Sequence, residues 1–152
     1  MRKILFRGQT RKYGEKVRMG DGEKLPGNWV YGGVLQGIGA HSVIYGGKND
    51  DNFGEGFQKW CVYTDTLGQY TGLTDKNGKK IFEGDIVRDE YNGGIAWIAF
   101  LQQGCGWYLV FKNIDRRMGH RSRNSAYDND LALEVIGNIH DNPELMEVSE
   151  DG

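Results

Sequence analysis

The chain has 152 residues, 38% of them hydrophobic and 26% charged, with a formal net charge of −2. That suffices for one ordinary globular domain with its own core, and it excludes a disordered chain and a global basic field of the kind that attracts nucleic acid. The 24 glycines, against 2 prolines, follow no Gly-X-Y period, which excludes collagen and suits short strands joined by tight turns.

In chain order, Lys3 to Arg7 (KILFR) is a first strand ending at Gly8, and the polar stretch from Gln9 to Asn28 is a loop or ragged hairpin. Trp29 to Leu35 (WVYGGVL) is a second strand whose Gly pair marks a bulge. Ser42 to Tyr45 is a third, followed by a loop rich in turn formers. Lys59 to Thr64 (KWCVYT) is apolar on both faces, so both are expected to be covered. Cys61 lies here and Cys105 in CGWY, and both read as buried free thiols.

Leu67 to Leu73 is a compact turn region, and Asn77-Gly78 is a hairpin signal for a turn with two positive-φ positions. Gly84 lets the chain change direction, and Asp85 at that corner accepts backbone N–H bonds. A strand runs from Asp85 to Glu90, Gly93-Gly94 reverses the chain, and Ile95 to Leu101 and Gly106 to Lys112 form a meander. Ile114 to Asp130 reads as one long surface loop, Leu133 to Ile139 as the strand that closes the sheet. Asn142-Pro143-Glu144 starts a short helix.

The expected fold is therefore all-β, with short strands and hairpins and a short C-terminal helical turn. A single domain covers 1–148, with N-terminal strands and loops over 3–66, a second block over 67–141, and a tail over 149–152. The strand spacing from Gly84 onward fits a small SH3-like barrel. No apolar run approaches the roughly 18 residues of a membrane span, and the start MRKILFRG is too poor in apolar residues for a signal sequence, so a cytoplasmic protein is expected.

Four blocks stand in a telling order: KILFRG from Lys3, WVYG from Trp29, GQYTGLTDKNGKKIFEGDIV from Gly68 and EVIGNIHDNPEL from Glu134. In these the chain resembles the YopX family of small phage and prophage proteins, from about Lys3 to Leu145. The resemblance implies a mostly β protein of phage or prophage origin, working in a bacterial host cell, and it carries no catalytic residues over. Lys12 to Gly27 stands as an insertion relative to the family's pattern.

Chemistry-bearing clusters are few. Asp75 to Gly78 superficially suggests a calcium loop, but with Gly78 at the sixth position the first and twelfth would be Leu73 and Gly84, neither a carboxylate. Glu83, Asp85, Asp89 and Glu90 could serve acid–base hydrolysis, yet a solvated strand edge accounts for them better. His41, His120 and His140 share no ligand spacing, and no nucleophile elbow, phosphate loop or dinucleotide fingerprint is present. Neither an enzyme nor a cofactor is expected.

The cluster with a charge argument is Arg116, Arg117, His120, Arg121 and Arg123, four arginines and a histidine within eight residues. On a surface loop these could cradle phosphates or an acidic protein, with Trp97, Trp107 and Tyr108 as a stacking surface. The bland alternative pairs them with Asp128, Asp130 or Glu134. The leading expectation is a non-enzymatic interaction module that binds a protein partner or itself, and the alternative is nucleic-acid binding through this Arg-rich segment.

Overall fold

Two β-rich runs become strands over the predicted spans, WVYGGVL at Trp29–Leu35 and IAWIAFL at Ile95–Leu101, each bounded by residues that break the pattern. A computed structural model describes residues 3–10, 29–37, 39–50, 58–90, 93–118 and 132–148. The chain is mostly β and divides into two units, Met1–Gln69 and Tyr70–Gly152.

The first unit holds β1 (Phe6–Gln9), β2 (Trp29–Leu35), β3 (His41–Gly47), β4 (Gln58–Tyr63) and the start of β5 (Gly68–Thr74). They form an antiparallel sheet in the order β4-β3-β2-β1-β5. One face of the sheet carries Val30, Ile44 and Val62, all fully buried, with Phe6, Val34, Trp60 and Leu67 packed against them. Gly32 and Gly46 are cross-strand partners, and a Cβ on either would lie 1.9 Å from a backbone oxygen of the opposite strand. Of the Gly32-Gly33 pair, Gly32 therefore serves close strand approach while a Cβ on Gly33 would meet open space, and β2 runs without the expected bulge. A 3-10 turn over Thr64–Thr66 follows β4; the buried Thr66 hydroxyl donates to the Tyr63 carbonyl and accepts the Gln9 N–H at 2.9 Å.

In the second unit β5 forms a hairpin with β6 (Lys80–Phe82). β7 (Asp85–Asp89), β8 (Ile95–Leu101), β9 (Gly106–Val110), β10 (Asp115–Arg117) and β11 (Leu133–Asn138) make an antiparallel sheet in the order β10-β9-β8-β7-β11, and α1 (Glu144–Val148) follows. Ile81, Val87, Ala96, Ile98, Leu109, Met118 and Leu133 form its core. Burying each large aliphatic side chain there stabilises by about 1.5–3 kcal/mol.

Several expectations are corrected. Among the described residues the second sheet does not close, so the SH3-like barrel is not confirmed: β10 and β11 stand at its ends, and the outer side of β11 is met by a turn, where the Lys76 N–H donates to the Leu133 carbonyl. The region from Leu67 to Leu73 is mostly strand β5 rather than turn: Gly68 pairs with Arg7 of β1, and Gly72 (φ +89) lies where the register with β6 shifts between Tyr70 and Thr74. The supposed loop from Ile114 contains β10, which pairs with β9. Both cysteines are free, but exposed. Among the described residues, no helix is long and apolar enough to cross a membrane.

The turn from Asp75 to Lys79 is also built differently from the expected one. Gly78 has φ +82 but Asn77 does not take positive φ. The buried Asp75 carboxylate supplies the missing order, accepting N–H bonds from Asn77 at 2.8 Å and Lys79 at 2.9 Å. The corner at Gly84 (φ +91) matches expectation, with Asp85 Oδ2 accepting the Phe82 N–H at 2.8 Å.

Candidate functional site

The Arg-rich segment begins on β10, whose register places Arg116 opposite Leu109 and Arg117 opposite Tyr108. Alternation along a strand sends these two side chains to opposite faces of the sheet. Arg116 turns to the core side, where its Nη2 lies 2.5 Å from the carboxylate of Asp89, a residue only 1% exposed on the interior strand β7. A carboxylate so buried requires a partner, and Arg116 is that partner. The guanidinium carbon also stands 5.4 Å from the centre of the Phe111 ring.

Arg117 lies on the outer face. Its Nη1 donates to the Gly104 carbonyl at 2.8 Å, and its guanidinium carbon stands 5.8 Å from the Tyr108 ring centre. Among the described residues no carboxylate pairs with it, so its charge remains directed outward. His120, Arg121 and Arg123 lie outside the described residues, as do Asp128 and Asp130. Glu134, the third acid proposed as a partner, is instead 3.6 Å from Arg88 and 4.0 Å from Lys76.

The proposed stacking surface is divided. Trp107 meets Phe100 edge to face at 5.2 Å and packs against the core, whereas Tyr108 lies beneath Arg117. Beside Arg116, a cavity of about 450 Å³ is lined by Ile95, Phe111, Lys112, Ile114, Asp115 and Arg116, among others. Its floor is apolar and its charged lining mixed, two cations with one carboxylate. Nothing in the string FKNID marks it beforehand, because the cavity arises from the β9–β10 reversal, closed by a bond from the Phe111 N–H to the Ile114 carbonyl.

The acidic cluster is not a solvated edge. Asp85 and Asp89 are 2% and 1% exposed, since β7 is an interior strand with β8 on one side and β11 on the other. Asp85 is engaged with the Phe82 amide and Asp89 with Arg116, while exposed Glu90 pairs with Lys76. The Lys76 ammonium is held above its usual 10.5 by that hydrogen bond to Glu90, only partly opposed by desolvation. His41 rests against Tyr63 at 4.9 Å, and His140 lies beside Gly84. Among the described residues, no three of His, Cys, Asp and Glu gather closely enough to hold a metal ion.

No curated protein matches the chain. Among solved structures the chain is similar to protein EF1440 from Enterococcus faecalis, at 29% identity over 59% of this chain and 68% of that one, with a TM-score of 0.40. A family model described as YopX protein matches residues 26–147, most of the sequence and three of the four blocks that carry the resemblance, and the chain belongs to the YopX family.

Proposed function

We propose that this YopX-family chain is a non-enzymatic accessory protein of phage or prophage origin. It acts in the cytoplasm of a bacterial host as a β-rich module that binds a protein partner or a second copy of itself. The observation that supports this reading is where the charged groups go. Asp75, Asp85, Asp89 and Arg116, the side chains best placed for chemistry, are all engaged in bonds that hold turns and strands together. What the sheets leave for recognition is backbone edge and half-buried aromatic surface, the material of protein contacts. Affinity capture from infected or lysogenic cells, followed by titration of the purified pair, tests it. A saturable complex or a defined oligomer is expected, and an inert monomer in every such assay overturns it.

Nucleic-acid binding is the second reading, favoured by Arg117, whose outward charge sits over an aromatic ring. It predicts a mobility shift at low salt that weakens steeply as salt rises and is lost in an Arg117→Ala, Arg121→Ala double variant. Absence of any shift at low salt removes it.

A further inference from the structure

The cavity beside Arg116 is built by two short stretches of the second unit. Gly94 and Ile95 line it from the start of β8, and the β9–β10 reversal lines it from Phe111 to Arg116. Its volume, about 450 Å³, falls among those of pockets that hold small molecules. Ile95, Phe111 and Ile114 give it apolar walls, and Ile114 is 67% exposed, so apolar surface stands in water at this point. Covering that surface with an apolar group is favourable in proportion to the area removed from water.

Arg116 is fixed at this cavity by Asp89, which accepts from its Nη2, and by the Phe111 ring, whose centre lies 5.4 Å from the guanidinium carbon. A guanidinium carries five N–H donors, so its bond to Asp89 does not exhaust it. The Nε of Arg116 is buried and has no hydrogen-bond partner. An unmatched buried donor costs free energy, which an oxygen acceptor arriving from the cavity would recover. The Arg116 side chain is 36% exposed, so the group has room to turn toward such an acceptor.

The charges around the cavity favour an anion. Asp89 balances Arg116, and Lys112 adds a second cation to the lining. Asp115, the carboxylate of the lining, directly precedes Arg116 on β10, so strand alternation directs it to the other face of the sheet. We infer that the cavity binds a small carboxylic acid with an aromatic or branched aliphatic body. The carboxylate meets Arg116 and Lys112, its two oxygens matching the planar guanidinium, while Asp89 keeps its own bond to Arg116. The body covers Ile95, Phe111 and Ile114. Inorganic phosphate or a sugar would set polar atoms against those walls and fits them poorly. This site goes beyond the interaction-module reading and does not depend on it.

The test adds 3-phenylpropionate to the full chain and follows each backbone amide by nuclear magnetic resonance. Saturable shifts are expected at Ile95, Ile114 and Arg116. Binding should be about tenfold weaker or more for 3-phenylpropanamide, which keeps the body and loses the charge, and for acetate, which keeps the charge and loses the body. Lys112→Glu, at an exposed position, should weaken the acid by about tenfold as well. Arg116→Met is made together with Asp89→Asn, so that no buried carboxylate is left behind. That pair should abolish the shifts, whereas Asp89→Asn alone retains them, and dispersed spectra show that each variant is folded. Absence of saturable shifts at the three amides, an amide analogue that binds as well as the acid, or binding indifferent to Lys112→Glu each overturns the inference. A chain that binds a protein but not the acid overturns this inference alone, whereas one that binds the acid and no protein overturns only the module reading.

Discussion

The Asp75 carboxylate accepts the backbone N–H of Val135 at 2.9 Å, across 60 residues of sequence, while its other oxygen orders the turn beginning at Asp75 itself. One buried side chain thus forms a hairpin turn and fastens it to the outer side of β11. Hydrogen bonds to a charged acceptor contribute roughly 1.5–3 kcal/mol each and are not additive, so Asp75→Ala should cost about 3 kcal/mol in urea unfolding. Asp75→Asn keeps an oxygen for the turn but presents an amide N–H to Val135. It should cost about half as much and accelerate hydrogen exchange at Val135 without doing so at Asn77. Equal acceleration at both amides would show that the two bonds are not separable.

Arg116 and Asp89 form the second long-range polar link, between the edge strand β10 and the interior strand β7. Arg116→Met leaves a buried carboxylate without this partner and should cost about 3 kcal/mol. Asp89→Asn removes the buried charge, so Arg116→Met made on that background should cost less by more than about 1 kcal/mol. Exposed Arg117 has no such partner among the described residues, and Arg117→Ala should stay within about 1 kcal/mol of the wild type. Urea unfolding of the single and double variants measures all of these. A coupling near zero between positions 89 and 116 would show that Asp89 does not hold Arg116 in place.

Lys76 supplies a pH dependence with a definite sign. Its hydrogen bond to Glu90, helped by the nearby Glu90 and Glu134 charges and opposed by desolvation and Arg88, raises its folded-state value above 10.5. A raised lysine contributes stability that is fully present below the unfolded value and is lost as pH climbs through the folded one. The melting temperature of the wild type should therefore exceed that of Glu90→Gln at pH 8 to 9, and the two should converge above about pH 10.5 as the ammonium deprotonates. A difference that persists at pH 12 would place the effect of Glu90 elsewhere.

Strands with a strong local pattern were legible from sequence, and those that depend on distant partners were not. WVYGGVL and IAWIAFL carry enough β-branched and aromatic residues to mark their ends without help. GQYTGLT reads as a turn because glycine is a local turn signal, yet here β1 and β6 supply the ladder that makes it β5. DRR has no apolar residue at all; β10 is a strand by its pairing with β9, and Arg116 there meets an aspartate 27 residues earlier. The acids of β7 show the same limit. Period-two alternation assigns Asp85 and Asp89 to a face, but whether a strand lies at the edge or inside a sheet is a matter of topology. The cysteines were misread for the converse reason. KWCVYT looks apolar on both faces, but Cys61 lies on the outer face of an edge strand, so its thiol is exposed.

The opposed glycines of β2 and β3 offer a sharp test of the first sheet. A Cβ at position 46 would sit 1.9 Å from the Tyr31 carbonyl oxygen, and one at position 32 would sit 1.9 Å from that of Tyr45. Backbone atoms cannot swing aside as a flexible side chain can, so either alanine must separate the two strands where they pair. Gly46→Ala should cost about 3 kcal/mol, at the upper end of the range for overpacking, and Gly32→Ala at least as much, because Gly32 also takes φ +155. Gly33 is the internal control, one residue along the same strand with open space where its Cβ would be. Gly33→Ala should be neutral or stabilising by up to about 1 kcal/mol, since alanine loses less conformational freedom on folding. Urea midpoints for the three variants decide the matter. If Gly33→Ala proved as harmful as Gly46→Ala, which carries the close approach without a positive φ, the cost would not lie in the close approach of two strands.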